Sequence, residues 1–92
     1  MLIGVYKIIY SKLAINHISK LRSANLAKKA KKLIDVLKIN PYQTPPPYEK
    51  LVCSEKYSRR INIKHRLVYE IDDNNKTIYI LSAWTHYEFL RK

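Results

Sequence analysis

All four prolines of this chain fall between Asn40 and Pro47, and that stretch constrains the fold more than any other. A helix must end before Pro41, because the residue ahead of a proline is pushed out of the α region. Pro45, Pro46 and Pro47 favour extended polyproline geometry and have no N–H to donate. The segment therefore reads as a stiff crossover reaching over a surface, with a proline-rich partner ligand as the alternative. It separates two regimes. Helical periodicity lies before it and strand-like runs lie after it.

Residues 3–10 are rich in β-branched and aromatic types and read as an opening strand. Ser11 sits where a helix N-cap is wanted, and Ala14, Ile15, Ile18 and Leu21 then recur at helical spacing. Asn25 is expected to cap a second helix, whose apolar face is Leu26, Ala27, Ala30, Leu33, Ile34 and Leu37. Lys28, Lys29, Lys31 and Lys32 lie mainly on its other side, and the two helices should form an antiparallel pair. Beyond the prolines come runs at 51–53, 57–63, 66–71 and 76–83. Asp72-Asp73-Asn74-Asn75 closes a hairpin between the last two. With Ile71 opposite Lys76, Tyr69 would face Ile78 and Leu67 would face Ile80. Gly4 is the single glycine, so later turns must use other residues, and Asn25, Asn74 and Asn75 are candidates for left-handed backbone.

With 92 residues the chain has room for one domain, expected over 1–92. Its apolar share of 47% is enough for a packed core. No apolar run approaches the roughly 20 residues of a membrane span, and the start lacks the marks of a targeting segment. Cys53 is the single cysteine and cannot form an internal disulfide, so a cytoplasmic setting is expected. The net charge is +11, which favours a polyanionic partner over a merely solvated basic surface. Eight of the ten aromatics are tyrosine, and tyrosine among lysines suits RNA better than lipid.

Little conventional chemistry is available. His17, His65 and His86 are widely spaced, no paired Cys/His motif exists, and one glycine cannot build a nucleotide-binding loop. Cys53, in an apolar run, reads as a small core residue. Acid–base cleavage of RNA needs less: a base for the 2′-hydroxyl, an acid for the leaving 5′-oxygen, and cations for the phosphorane. Such a reaction requires neither metal nor cofactor. Glu49 follows the rigid prolines and so has a defined backbone position; an exposed edge carboxylate is the plainer reading. Arg59, Arg60, His65 and Arg66 form a dense basic cluster on two successive strands, either a phosphate cradle or solvated charge. Strand alternation points Arg59 and Arg60 to opposite faces.

Three stretches resemble one known family. They are Pro46-Pro47-Tyr48-Glu49-Lys50-Leu51, the run from Tyr57-Ser58-Arg59-Arg60-Ile61-Asn62 to His65-Arg66-Leu67-Val68-Tyr69, and Trp84-Thr85-His86-Tyr87-Glu88. Together they resemble the YoeB/Txe toxins of the RelE-like superfamily, from type II toxin–antitoxin systems, over nearly the whole chain. The resemblance implies an α+β fold, a small antiparallel-type sheet with two N-terminal helices on one face, in the order β-α-α-β-β-β. It also implies a ribosome-dependent endoribonuclease that cuts mRNA in the decoding site and leaves a 2′,3′-cyclic phosphate, without a cofactor. On this resemblance Glu49 is the general base, His86 the general acid and Arg66 the group that steadies the scissile phosphate. Arg59, Arg60, His65 and Tyr87 are implied as substrate-binding. A Phd/YefM-type antitoxin is the implied partner, and a homodimer stays open.

Two other readings compete: a basic RNA- or ribosome-binding module that inhibits translation by occupancy alone, and a DNA-binding repressor subunit. The first leaves Glu49, Arg66 and His86 unexplained. The second needs a base-reading helix, whereas this one opens with Asn25-Leu26-Ala27. Two departures from the family pattern stand out. Six residues separate Leu51 from Ser58, about two fewer than expected, which puts the approach of Glu49 to Arg66 in question. The tail also runs past Tyr87 to Lys92.

Overall fold

A computed structural model describes residues 5–51 and 54–84. The elements are β1 (Lys7–Tyr10), α1 (Lys12–Ser23), α2 (Ala27–Ile39), β2 (Glu49–Lys50), β3 (Lys56–Arg60), β4 (Arg66–Asp72) and β5 (Thr77–Ser82). They form a five-stranded sheet in the order β1-β5-β4-β3-β2, with two helices. This is the expected α+β architecture with two refinements. The sheet is mixed, since β1 runs parallel to β5. A two-residue strand, β2, also joins the far edge. The parallel pairing arises because both helices intervene before the chain returns, so β1 adds to the edge of β5 and not to a sequence neighbour.

Local chemistry explains most boundaries. The Ser11 hydroxyl accepts the Ala14 N–H at 2.9 Å and donates to the Leu81 carbonyl at 2.9 Å, capping α1 and tying its start to β5. Asn25 is not the cap of α2, which begins after Leu26; it takes the left-handed conformation instead, with φ 62°. The buried residues of α1 are Ala14, His17 and Leu21, while Ile15 is 58% exposed. α2 buries Ala30, Leu33, Ile34 and Leu37, as its periodicity predicts. These side chains pack with Leu67, Tyr69, Ile78 and Ile80 on one face of the sheet.

The last hairpin keeps the expected facing but shifts by two residues. Ile71 pairs with Ile78 and Tyr69 with Ile80, because Asp72 extends β4 and pairs with Thr77. A two-residue shift preserves which side chains share a face. The Asp72 carboxylate accepts from the Asn75 backbone and side chain, and Lys76, not an asparagine, adopts the positive φ of 48°. A bulge near Val68 then lets Ile80 and Ala83 both reach the core.

The proline segment differs from an extended rod. The carbonyls of Pro41, Gln43 and Pro46 all receive hydrogen bonds from the single guanidinium of Arg59. In polyproline geometry residues 41 and 46 would lie about 15 Å apart, far wider than one guanidinium. The connector is therefore gathered inward, and the Thr44–Pro45 and Pro45–Pro46 bonds are cis. No helix among the described residues is long and apolar enough to cross a membrane.

Ser11→Ala should cost about 1–2 kcal/mol, because the hydroxyl serves both a helix N–H and a strand carbonyl. Urea denaturation against the unaltered chain measures it, with a lowered midpoint and an unchanged slope as the expected result.

Candidate functional site

Strand β3 alternates, and the alternation assigns its residues to two faces. Tyr57 and Arg59 point to the face carrying the helices and the connector. Lys56, Ser58 and Arg60 point to the other face, where the register sets them opposite Glu70, Val68 and Arg66 of β4. On β2, Glu49 pairs with Ser58. Glu49, Ser58 and Val68 thus lie side by side across three strands, with Arg66 two residues along from Val68.

Arg66 connects this row. Its Nε–H donates to the Ser58 hydroxyl, and its Nη2 donates to Glu49 Oε1 at 3.0 Å. Its backbone N–H donates to the Trp84 carbonyl at 3.0 Å. The Arg66 side chain is 12% exposed and that of Glu49 65%, so a sheltered cation holds a solvent-facing carboxylate. The short 51–58 connection does not separate them. The Ser54 hydroxyl accepts the Lys56 N–H, and the Leu51 N–H reaches the Lys56 carbonyl at 2.8 Å, folding β2 back onto β3. Arg60, exposed, stands directly across from Arg66. Two cations in that position repel unless an anion lies between or beside them. Arg60 also borders a groove with Lys29 and Lys32 of α2 over Leu33, Val36 and Ile61.

The other expected residues go elsewhere. Arg59 was expected to bind substrate; its side chain is fully buried and committed to the connector carbonyls and to the Tyr69 hydroxyl. His65, expected in the same role, is buried and stacks on Trp84 with ring centroids 3.9 Å apart. Spacing placed both in one cluster, but only packing tells which face is covered. His86 and Tyr87 lie outside the described residues, as does Cys53. Among the described residues no three His, Cys, Asp or Glu side chains gather as a metal site.

Three features escaped the sequence reading. Ser58 orients Arg66, which follows only from strand register. Asp73 accepts from the hydroxyls of Tyr6 at 2.6 Å and Tyr42 at 2.7 Å, joining the hairpin turn to β1's approach and to the connector. The Asp73 hydrogen bond, aided by burial, pushes the Tyr6 phenol up to about 12. In return the Tyr42 and Tyr6 hydroxyls hold the Asp73 carboxyl below its usual value. Finally, His17 Nδ1 accepts the buried Ala83 N–H at 3.1 Å, anchoring the chain as it leaves β5.

Residues 16–87 match a family model for the YoeB-like toxin of bacterial type II toxin–antitoxin systems. A YoeB–YefM complex from Staphylococcus aureus is similar over 89% of this chain and 98% of that one, at 33% identity and a TM-score of 0.72. A YoeB dimer from the same organism is similar over 90% and 99%, at 31% identity and a TM-score of 0.75. The YoeB/ParE toxin from Agrobacterium tumefaciens shares the fold over 88% and 99%, with 22% identity and a TM-score of 0.79. No curated protein sequence matches the chain.

The buried histidines imply a pH dependence. Burial lowers His17 from its usual 6.5, helped by Lys20 and His65, and burial with Lys64 lowers His65. The native state then binds fewer protons than the unfolded chain, so their contribution is complete above 6.5 and is lost as pH falls toward the folded values. Urea midpoints measured between about pH 7 and pH 5 should decline. His17→Asn, whose Oδ1 can accept the Ala83 N–H without titrating, should flatten part of that decline. Asp72 and Asp73 contribute in a separate window, below the ordinary carboxylate value of 3.8.

Proposed function

This chain belongs to the YoeB-like toxins of bacterial type II toxin–antitoxin systems, and from that membership we propose that it is a ribosome-dependent endoribonuclease acting on mRNA. One observation carries the reading: Glu49 and Arg66 meet at 3.0 Å on the sheet face away from the helices. That arrangement offers a carboxylate beside a sheltered cation, which is what 2′-hydroxyl attack on a phosphodiester needs. The matched span also includes His86 and Tyr87.

In the proposed reaction Glu49 removes the 2′-hydroxyl proton, and the freed oxygen attacks the adjacent phosphorus. Arg66 exchanges its carboxylate partner for the phosphate and stabilises the charge of the phosphorane. His86 gives its proton to the departing 5′-oxygen, leaving a 2′,3′-cyclic phosphate and a free 5′-hydroxyl. Arg60, with Lys29 and Lys32 beside it, suits the phosphates that flank the cut. Tyr87 fits the base or sugar next to the acid. In the resting protein Glu49 occupies the place of the anion.

A YefM-like antitoxin is the proposed controlling partner, given that one similar structure is a YoeB–YefM complex. Self-association is proposed on the same footing, from the dimer. The groove bordered by Lys29, Lys32 and Arg60 has an apolar floor and cationic rim, which suits an acidic segment that folds on binding. The edge strand adds exposed Ile9 and Tyr10, whereas Tyr6 is buried and unavailable.

Purified ribosomes programmed with a defined message test the reaction. Glu49→Gln, Arg66→Ala and His86→Ala should each slow cleavage roughly 10²–10⁴-fold while leaving the fold intact. The wild type should yield fragments ending in a cyclic phosphate. Cleavage by a Glu49→Gln/Arg66→Ala double variant at the wild-type rate refutes the assignment. Translation arrest by the wild type with no cut message supports inhibition by occupancy instead. For the antitoxin, association should slow as salt rises, since the net charge of +11 steers an acidic partner.

A further inference from the structure

We propose that Arg59 is a positioning residue for the Glu49 carboxylate, so that adjacent residues of β3 hold the two ends of one ion pair from opposite faces of the sheet. The inference rests on the assignment of Glu49 as the base. Ser58 holds Arg66 from the site face through its hydroxyl. Arg59, the next residue, holds the connector that delivers Glu49.

Arg59 is fully buried, yet no carboxylate among the described residues pairs with it. Its donors go to Tyr69 Oη at 3.1 Å, the Pro41 carbonyl at 2.9 Å, the Gln43 carbonyl at 3.0 Å, and the Pro46 carbonyl. Its guanidinium lies over the Tyr48 ring, 5.1 Å from the centroid. Three of the four acceptors belong to 41–46, Pro46 precedes Glu49 by three residues, and Tyr48 adjoins it. β2 is only two residues long and cannot by itself define where the carboxylate sits. The upstream anchor must do so. A second fastening supports the first: Tyr42 packs edge-on against Tyr48 and Tyr57 while its hydroxyl bonds Asp73. Lysine cannot replace this arginine, since an ammonium is a point donor and cannot span acceptors spread around a planar fork.

The test compares Arg59→Lys and Tyr69→Phe with wild type in two readouts. The first is amide hydrogen exchange in the free protein, at Tyr42, Gln43 and Leu51, whose N–H groups bond Asn40 Oδ1, the Asn40 carbonyl and the Lys56 carbonyl. The second is cleavage of ribosome-bound message, resolved into kcat and KM. Arg59→Lys should raise exchange at these amides about tenfold while β4 and β5 keep their protection. It should lower kcat by about 10–10²-fold with little change in KM, as expected for a displaced base. Unchanged exchange at Leu51 overturns the proposal, and so does a loss confined to KM, which marks a substrate-binding arginine. If Arg59→Lys loses protection throughout, Tyr69→Phe decides: it removes one acceptor and keeps the aromatic packing. A smaller rise at Leu51 is then expected, and none overturns the proposal. Failure of the wild type to cleave refutes the endoribonuclease reading separately, since exchange still reports on the clamp.

Discussion

The buried guanidinium of Arg59 is the interaction on which the arrangement of this protein depends. A proline-rich segment has carbonyl acceptors in excess of N–H donors, because each proline contributes one and lacks the other. Water satisfies that excess at a surface, but here the connector lies against the sheet. A side chain with only donors is the complement it needs, and Arg59 places its fork among the carbonyls of Pro41, Gln43 and Pro46. The burial of a charge, costly alone, is offset by these charge-assisted bonds and by the Tyr48 face. Tyr69 raises the stakes further. Its phenol is pushed up to about 12, chiefly by burial, and remains a neutral acceptor for the Arg59 Nε–H.

From that anchor the sheet acquires two faces with separate tasks. On one, Leu67, Tyr69, Ile78 and Ile80 form the core with both helices. On the other, a row of polar side chains runs from Glu49 through Ser58 to Arg66. Separation matters because a packed core resists displacement and can fix side chains on the reverse of the same strands. Each residue of β3 acts on one face or the other by strict alternation. A one-residue slip would exchange Arg59 with Arg60 and undo both the clamp and the cationic site.

Electrostatics then favours anions at this face. Arg66 has Glu49 as its carboxylate partner, and Arg60 is its register neighbour on β3. A phosphodiester oxygen is suited to take the place of that carboxylate. At the same end of β4, Trp84 stacks on His65, under Lys20, and the Ala83 N–H is fastened to His17. The chain that continues to His86 and Tyr87 therefore leaves from a fixed point.

Local patterns in the sequence were enough for both helices and for which side chains of the last hairpin share a face, though not for its register. Ser11 was legible as a cap, Pro41 as a stop after α2, and the facing of Tyr69 with β5 as a matter of parity. Periodicity and capping are local properties, so short windows suffice to read them. Glu49 and Arg66 were legible through family resemblance, and the structure brings them within hydrogen-bond distance. Tertiary structure alone decided the rest. Alternation showed that Arg59 and Arg60 diverge, but not which one meets solvent, since that depends on where residues 40–47 lie. His65 looked like part of a basic cluster until Trp84 covered it. The parallel addition of β1 and the pairing of Glu49 with Ser58 join residues far apart in the chain or across an irregular turn. Such contacts depend on the summed packing of many elements, which no local pattern encodes.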